Sequence, residues 1–150
     1  MTTTVAYADI AGLAGTDLGY TEWLEITQEQ VNTFADATGD HQWIHTDPER
    51  AKDGPFGGPI AHGFLTLSLA VAFWTELFEA AGVSVKVNYG LDKVRFISPV
   101  PVGARVRMTA VIAEVTEVKG GYQLGVDQTI EIDGGTKPAV VAHGLYRFYA

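Results

Sequence analysis

The sequence predicts a single α+β domain over residues 1–150, in which a curved antiparallel sheet wraps around one long central helix. Three observations support this fold class. An apolar stretch lies between Gly63 and Gly82, and segments of alternating polarity follow it as far as Tyr149. The chain has 150 residues, of which 47% are hydrophobic and 19% charged, so it is long and apolar enough to bury one core.

The elements before the long helix are predicted to be short. Residues 1–18 show little periodicity and are expected to form a loosely structured lead-in, whereas residues 18–26 alternate like a first strand. Thr27 and Gln30 form a capping box, which predicts that a helix begins after Thr27. Gly39 is expected to end this helix, because glycine readily adopts the left-handed conformation found at helix ends.

Residues 40–62 are predicted to form an irregular overhang. Asp47 followed by Pro48 is typical of the start of a brief helix, with Asp47 as its cap. The glycines and prolines between residues 54 and 59 then argue against regular structure. Loops of this length in a compact domain are often functional, so we expect the active site here.

The stretch 63–82 is apolar around nearly its whole circumference, which predicts a helix in the middle of the structure. Glu76 and Glu79 lie within it and argue against a membrane span. A single sheet leaves edges that need protection, which edge-to-edge pairing of two copies would supply. After the helix, alternation predicts strands at 83–89, 91–97, 104–118, 122–132 and 140–149, with a hairpin at Asp133-Gly-Gly135.

Composition restricts the possible functions. The net charge of −8 disfavours binding to nucleic acid. The absence of cysteine excludes disulfides and thiol catalysis, and with no visible secretory signal it favours a cytoplasmic location. The basic residues of the second half either lie on solvated faces or help to hold an anionic ligand; the residues concerned are Lys86, Lys93, Arg95, Arg105 and Arg107.

The strongest chemical signal is the pair Asp40 and His45. A carboxylate and an imidazole that share a pocket can hold a water molecule and move its protons. The alternative is that Asp40 caps backbone amides and His45 is a satisfied polar residue. His41 and His45 have the spacing of helical zinc ligands, but Gly39 argues against a helix there and no third ligand is evident, so no metal is expected. His41 is expected to be solvated or to support the site residues from outside.

Pro59-Ile-Ala-His-Gly63 leads into the long helix. The free amides at the start of that helix, Gly63 foremost, form a positive dipole end suited to an oxygen that gains negative charge. The alternative is a plain turn glycine. A carboxylate–imidazole pair and an amide site for an oxygen are together the components of chemistry next to a carbonyl group.

These residues resemble the motifs of the MaoC-like (R)-specific enoyl-CoA hydratases, which have the hot-dog fold. The motif of that family runs Gly-Asp-x-Asn-Pro-(aliphatic)-His. Here it is Gly39-Asp40-His41-Gln42-Trp43-Ile44-His45, in which Gln42-Trp43 replaces Asn-Pro. The resemblance covers about residues 20–149 and extends to 59–63 and to Val94-Arg-Phe-Ile-Ser-Pro-Val100. The replacement is similar to a subgroup that includes the nodulation protein N-like proteins.

The resemblance implies reversible addition of water to a trans-2-enoyl-CoA, giving the (R)-3-hydroxyacyl-CoA, in fatty-acid metabolism. Asp40 and His45 would activate the water, the amide of Gly63 would hold the thioester oxygen, and Gln42 and His62 would support them. It also implies an acyl-CoA substrate, no cofactor and a homodimer joined through sheet edges, with neither nucleic acid nor a membrane as partner. The alternatives are a hot-dog acyl-CoA thioesterase and a non-catalytic subunit that binds acyl-CoA or an acyl carrier.

Overall fold

An antiparallel sheet of six strands packs on one long helix in the computed structural model, which describes residues 1–150. The helices are α1 (Gln28–Thr38), α2 (Trp43–Thr46), α3 (Pro48–Ala51) and α4 (Gly63–Leu77). The strands are β1 (Thr3–Ala6), β2 (Thr16–Tyr20), β3 (Leu24–Glu25), β4 (Phe78–Ala81), β5 (Val85–Phe96), β6 (Arg105–Val118), β7 (Gly121–Ile132) and β8 (Val140–Tyr149). The main sheet has the order β2-β6-β7-β8-β5, with β3 also paired to β6, and β1 and β4 form a separate parallel pair.

The core lies between α4 and the inner face of the main sheet. Trp74 of α4 stacks on Tyr146 of β8, with ring centroids 5.0 Å apart and planes 4° from parallel. Next to this pair, Phe78 packs on Phe148 at a centroid distance of 5.8 Å. The alternation predicted for β6 is confirmed, because every second side chain is buried beneath the helix: Val106, Met108, Ala110 and Ile112. The predicted fold class is therefore correct.

The apolar circumference of the long helix predicted that it would be buried on all sides. Within one chain this prediction is wrong. Phe64 is 67% exposed, and Ser68 and Val71 on the same side of α4 are also exposed. The sheet covers only one side of the helix, and no other element of the chain crosses the opposite side. The apolar circumference therefore leaves a surface along α4 that the chain itself does not cover.

The lead-in is more regular than residues 1–18 suggested. It contains β1, a 3-10 helix at Tyr7–Gly12 and the start of β2. The strand predicted over 18–26 is divided into β2 and β3 by residues 21–23, and β2 itself is irregular: its pairing with β6 shifts register between Asp17 and Tyr20, where Gly19 has a φ of +77°. Periodicity alone did not show either interruption.

Two other boundaries differ from the sequence-based expectation. α4 ends at Leu77 and not at Gly82, because residues 78–81 become extended and pair in parallel with β1. The strands predicted at 83–89 and 91–97 are one strand, β5, which pairs with β8 across Gly90 through local irregularities. Both differences arise from pairing with strands that are distant in the sequence.

Candidate active site

The end of α1 places Asp40 at the site. The hydroxyl of Thr27 accepts a hydrogen bond from the Gln30 amide at 3.1 Å, which starts the helix as the capping box predicted. Gly39 ends it with a φ of +82°. Asp40 follows at the surface, where it is exposed. Because its carboxylate makes only a long contact of 3.4 Å with the Gln42 amide, it can still change its orientation.

His45 is buried and held in one orientation. Its Nδ1 lies 2.7 Å from the carbonyl oxygen of Ile60. A carbonyl can only accept, so Nδ1 carries the hydrogen and Nε2 has a free lone pair. The side-chain amide of Gln28 donates to the backbone carbonyl of His45 at 2.8 Å and fixes the turn that carries the ring. The result is a ring whose Nδ1 is occupied by the bond to Ile60, so that Nε2 is the nitrogen that can act as a base in the neutral form.

His62 lies against His45. The two rings stack with centroids 3.9 Å apart, and Phe34 packs on His62 at 4.8 Å. Nε2 of His62 donates to the backbone carbonyl of Asp40 at 2.9 Å, which ties the start of α4 to the end of α1. A carboxylate oxygen of Asp40 and one ring nitrogen from each of the two histidines lie within 4.8 Å of one another. The fold thus brings Asp40, His45 and His62 into one cluster.

Gly63 and His45 line the same cavity, which has a volume of about 320 Å³. Gly63 is the first residue of α4, so the helix supplies no acceptor for its amide, and His62 before it makes no side-chain cap. The free amides at this helix end therefore carry the positive end of the dipole into the cavity. The remaining wall is largely apolar, and its members include Thr66, Phe96, Ile97, Pro99 and Val100.

Phe96 is a site residue that the sequence did not single out. Its ring lies so close to Gly63 that a Cβ added to the glycine would be 3.1 Å from the ring atom Cδ1. It also makes an edge contact with Phe64 at a centroid distance of 5.7 Å. The signal was present in Val94-Arg-Phe-Ile-Ser-Pro-Val100, which resembled the family without indicating a role for the phenylalanine.

The remaining residues of the motif have structural contacts. The side chain of Gln42 is exposed and makes no hydrogen bond, although its backbone carbonyl accepts from the His45 amide at 3.0 Å. Trp43 packs over Gly54, and the Arg50 guanidinium lies 4.3 Å from its ring centroid. In this way Trp43 connects α2 to the later part of the overhang.

His41 does not belong to the cluster. It is exposed, as predicted, and its Nε2 lies 3.3 Å from Asp36. α2 begins only at Trp43, so His41 and His45 do not share a helix. The zinc spacing that the sequence suggested is therefore not formed.

Most of the basic residues considered for an anionic ligand are paired with carboxylates. Three pairs are present: Lys86 with Glu79, Arg105 with Asp133, and Arg107 with Glu131. Lys93 and Arg95, on β5, make no ion pair within the chain. Of the five residues, only these two are without an ion pair, and they precede Phe96, a residue of the cavity wall, on β5.

The fourth histidine lies elsewhere, on the main sheet. Nδ1 of His143 lies 2.7 Å from Asp127, and its Nε2 lies 3.1 Å from Glu114. The hydrogen bond that His143 donates to the Asp127 carboxylate is the main cause that raises the pKa of His143, and Glu114 adds to it against the opposing effect of burial. The group is an electrostatic bridge across β6, β7 and β8, away from the candidate site.

The chain matches a known protein family. The sequence matches the family described as MaoC like domain over residues 9–133. The chain belongs to this family. No helix of this MaoC-like protein is long and apolar enough to cross a membrane.

Two relatives match nearly the whole chain. It is 51% identical over 151 residues to 3-hydroxyacyl-thioester dehydratase Z of Mycobacterium tuberculosis (strain ATCC 25618 / H37Rv), with 100% of both chains covered. It is 42% identical over 144 residues to Nodulation protein N of Rhizobium meliloti (strain 1021), with 94% of this chain and 89% of that protein covered. The resemblance to nodulation protein N-like proteins is therefore confirmed.

Solved structures show the same fold. R-hydratase PhaJ1 from Pseudomonas aeruginosa superposes with a TM-score of 0.74 at 22% identity, covering 96% of this chain and 85% of the other. The (R)-hydratase from A. caviae involved in PHA biosynthesis gives a TM-score of 0.73 at 24% identity, covering 89% and 94%. The expected hot-dog fold is confirmed.

Proposed function

We propose that this MaoC-like protein is an (R)-specific enoyl-CoA hydratase of fatty-acid metabolism, which adds water reversibly to trans-2-enoyl-CoA. One observation carries the proposal: the oriented imidazole of His45 and the free amide of Gly63 line the same cavity. The relative that is 51% identical over its whole length is named a 3-hydroxyacyl-thioester dehydratase, and dehydration is the reverse of this reaction.

The geometry supports a division of roles between the residues. Nε2 of His45 and the carboxylate of Asp40 are both acceptors, so they can bind the two hydrogens of one water and direct its oxygen at C3 of the enoyl group. As that bond forms, negative charge develops on the thioester oxygen, which the amide of Gly63 would stabilise. The proton taken from water is then delivered to C2. Water supplies every atom that is added, so the balance needs no oxidant or reductant.

His62 and Gln42 support the site in this proposal without touching the substrate. His62 connects the carbonyl of Asp40 to the ring of His45 through its hydrogen bond and its stacking contact. Gln42 contributes its backbone carbonyl to the turn of α2. On β5, the charges of Lys93 and Arg95 suit the phosphates of CoA.

The test is hydration of crotonyl-CoA by purified protein, with the chirality of the product determined. We expect Asp40→Asn and His45→Gln each to lower kcat by about 10²–10⁴-fold, the usual contribution of general acid–base groups. The matched control is His41→Gln, which removes an exposed imidazole from the same loop and should keep full activity.

Three outcomes would contradict the proposal. Near-complete activity in both variants would remove Asp40 and His45 from the mechanism. Release of free thiol without loss of the enoyl group would favour thioester hydrolysis. Tight acyl-CoA binding without turnover would favour a non-catalytic subunit.

The proposal includes a homodimer joined through β5. This strand is one of the edges of the main sheet, and unpaired edges invite pairing. Leu91 of β5 also lines a cavity of about 310 Å³ with Phe64 and Val71, on the side of α4 that the chain leaves uncovered. The large apolar side chains exposed on β5 itself are Val85, Val87, Tyr89, Leu91 and Phe96. A second copy would cover both the strand and the helix.

Leu91→Lys tests this interface, because it places a charge where the second copy would pack. We expect wild-type protein to be dimeric by light scattering and the variant to shift toward monomer. Thr116→Lys adds the same charge at an exposed position of β6, away from this edge, and should stay dimeric. A monomeric wild type would refute the dimer.

A cytoplasmic location stays a prediction from the sequence.

A further inference from the structure

A polar pair lies in the core beneath α4, in a cavity that the proposed chemistry does not use. Gln128 of β7 and Tyr146 of β8 are only 2% and 6% exposed. Both line the cavity of about 310 Å³ beside α4, which we call the second cavity. A buried amide is unfavourable unless its hydrogen bonds are made, so the pair requires an explanation.

The pair uses only part of its own hydrogen-bonding capacity. The side-chain N–H of Gln128 donates to the hydroxyl of Tyr146 at 2.6 Å. The carbonyl oxygen Oε1 of Gln128 has no partner, and the hydroxyl of Tyr146 donates to no group of the chain. Burial raises the pKa of Tyr146, against the opposing effect of the Gln128 hydrogen bond, so the phenol keeps its hydrogen at neutral pH. One buried acceptor and one buried donor therefore remain unused.

These two unused groups are complementary to a hydroxyl group. A hydroxyl can donate to Oε1 of Gln128 and accept from the phenol of Tyr146. The opposite orientation of the Gln128 amide leaves an N–H and a phenol lone pair instead, and a hydroxyl also satisfies these, since it both donates and accepts. Gly144 leaves room beside the amide, because a Cβ at this position would lie 2.9 Å from Oε1.

The second cavity adjoins the cavity of the candidate active site. Phe96 lines the cavity of Gly63, Phe64 lines the second cavity, and the two rings are in edge contact at 5.7 Å. Ala70, on the wall of the second cavity, is seven residues after Gly63, which is about 10 Å along the helix axis. An extended chain spans about 1.2 Å per bond, so about eight bonds cover this distance.

We propose that the second cavity binds the distal part of the substrate's acyl chain, and that Gln128 and Tyr146 select a chain with a hydroxyl group near its end. The wall suits such a chain, because its other side chains are mostly apolar and can contact methylene groups: Leu67, Ala70, Val71, Leu91 and Leu145. The second copy proposed above would close the cavity from solvent. This inference rests on the proposed function, since it requires a thioester bound at Gly63.

The experiment is calorimetric titration of the full-length protein with saturated CoA thioesters, which have no double bond to hydrate. Each pair compares an unsubstituted chain with the same chain carrying a terminal hydroxyl, at about six, eight and ten carbons, lengths on both sides of the distance to Ala70. We expect wild type to bind the hydroxylated member of at least one pair about 3–10-fold more tightly, which corresponds to one net hydrogen bond.

A double variant tests the role of the polar pair. Gln128→Met/Tyr146→Phe removes both polar groups at similar volume, and we expect it to reverse the preference, because the hydroxyl would leave water without gaining partners. Its Tm should stay close to that of wild type, since apolar replacement of both partners leaves no buried group unpaired. The matched control is Gln123→Met on the opposite face of β7, where Gln123 accepts a hydrogen bond from Arg147, and it should keep the wild-type preference.

The outcomes separate this inference from the proposed function. Equal or weaker binding of the hydroxylated member in every pair would overturn the inference, because water or the second copy would then satisfy the amide. A preference that persists in the double variant would also overturn it. A preference that the double variant loses, in a protein that does not hydrate crotonyl-CoA, would keep the inference and reject the hydratase. Hydration of crotonyl-CoA without any preference would keep the hydratase and reject the inference.

Discussion

Gly63→Ala separates the role of the helix amide from the stability of the fold. Gly63 does not have a positive φ, so alanine can adopt the same backbone conformation without strain. Its methyl group would lie 3.1–3.3 Å from three atoms of the Phe96 ring, which must move by a few tenths of an ångström. Phe96 is 48% exposed and can do so. We expect the free energy of unfolding to change by less than about 1 kcal/mol.

The effect on activity should be much larger. The new methyl group and the displaced Phe96 ring would occupy the space above the Gly63 amide, through which a thioester oxygen must approach. Loss of one donor to a developing oxyanion costs about 10²–10³-fold in kcat, or about 2.7–4 kcal/mol. We expect a decrease of this size in the hydration of crotonyl-CoA, followed by loss of the enoyl absorbance, and thermal unfolding close to that of wild type.

Two further variants make the test decisive. Gly58→Ala adds a methyl group at a nearby glycine where the space is open, and it should leave activity and stability unchanged. Activity restored in Gly63→Ala/Phe96→Ala would assign the loss to the ring and not to the methyl group. If Gly63→Ala retained kcat within about threefold of wild type, less than about 1 kcal/mol of barrier, the predicted obstruction of the Gly63 amide would be refuted.

The remaining predictions concern stability. The pKa of His143 is raised in the folded protein, so its charged bridge to Asp127 and Glu114 stabilises the fold fully at pH values below the unfolded-state pKa of about 6.5. This stabilisation is lost as the pH rises through the folded-state pKa. His143→Gln should therefore lower Tm more at about pH 6 than at about pH 9, and equal losses at both values would contradict the bridge. Leu124→Ala in β7 should lower the free energy of unfolding in urea by about 2–5 kcal/mol, because this side chain is fully buried. A decrease of less than about 1 kcal/mol would disprove its place in the core.

Several elements were predictable because their signals are local. Thr27 and Gln30 bound the start of α1, and Gly39 bounds its end, through contacts within a few residues. The alternation of β6 and β7 predicted which side chains face the core, because neighbouring side chains in a strand point to opposite faces. The pair Asp40 and His45 was also visible as a motif, because the two residues are close in the sequence.

Other features depended on pairing across the chain. β4 replaces the last turn predicted for the long helix, since residues 78–81 find hydrogen-bond partners in β1, which is more than seventy residues earlier. The exposed side of α4 was not predictable either, because an apolar circumference does not show which side the sheet covers. Local propensity is overridden when long-range pairs satisfy the backbone.

By itself the sequence determined the fold class, the ends of α1, and the presence of Asp40, His45 and Gly63 as candidate site residues. Only the tertiary structure decided which groups meet. It placed His62 against His45, turned His41 toward Asp36 and brought Phe96 over Gly63. Contacts between residues from α1, α2, α4 and β5 depend on how these elements pack, and sequence spacing carries no information about that packing.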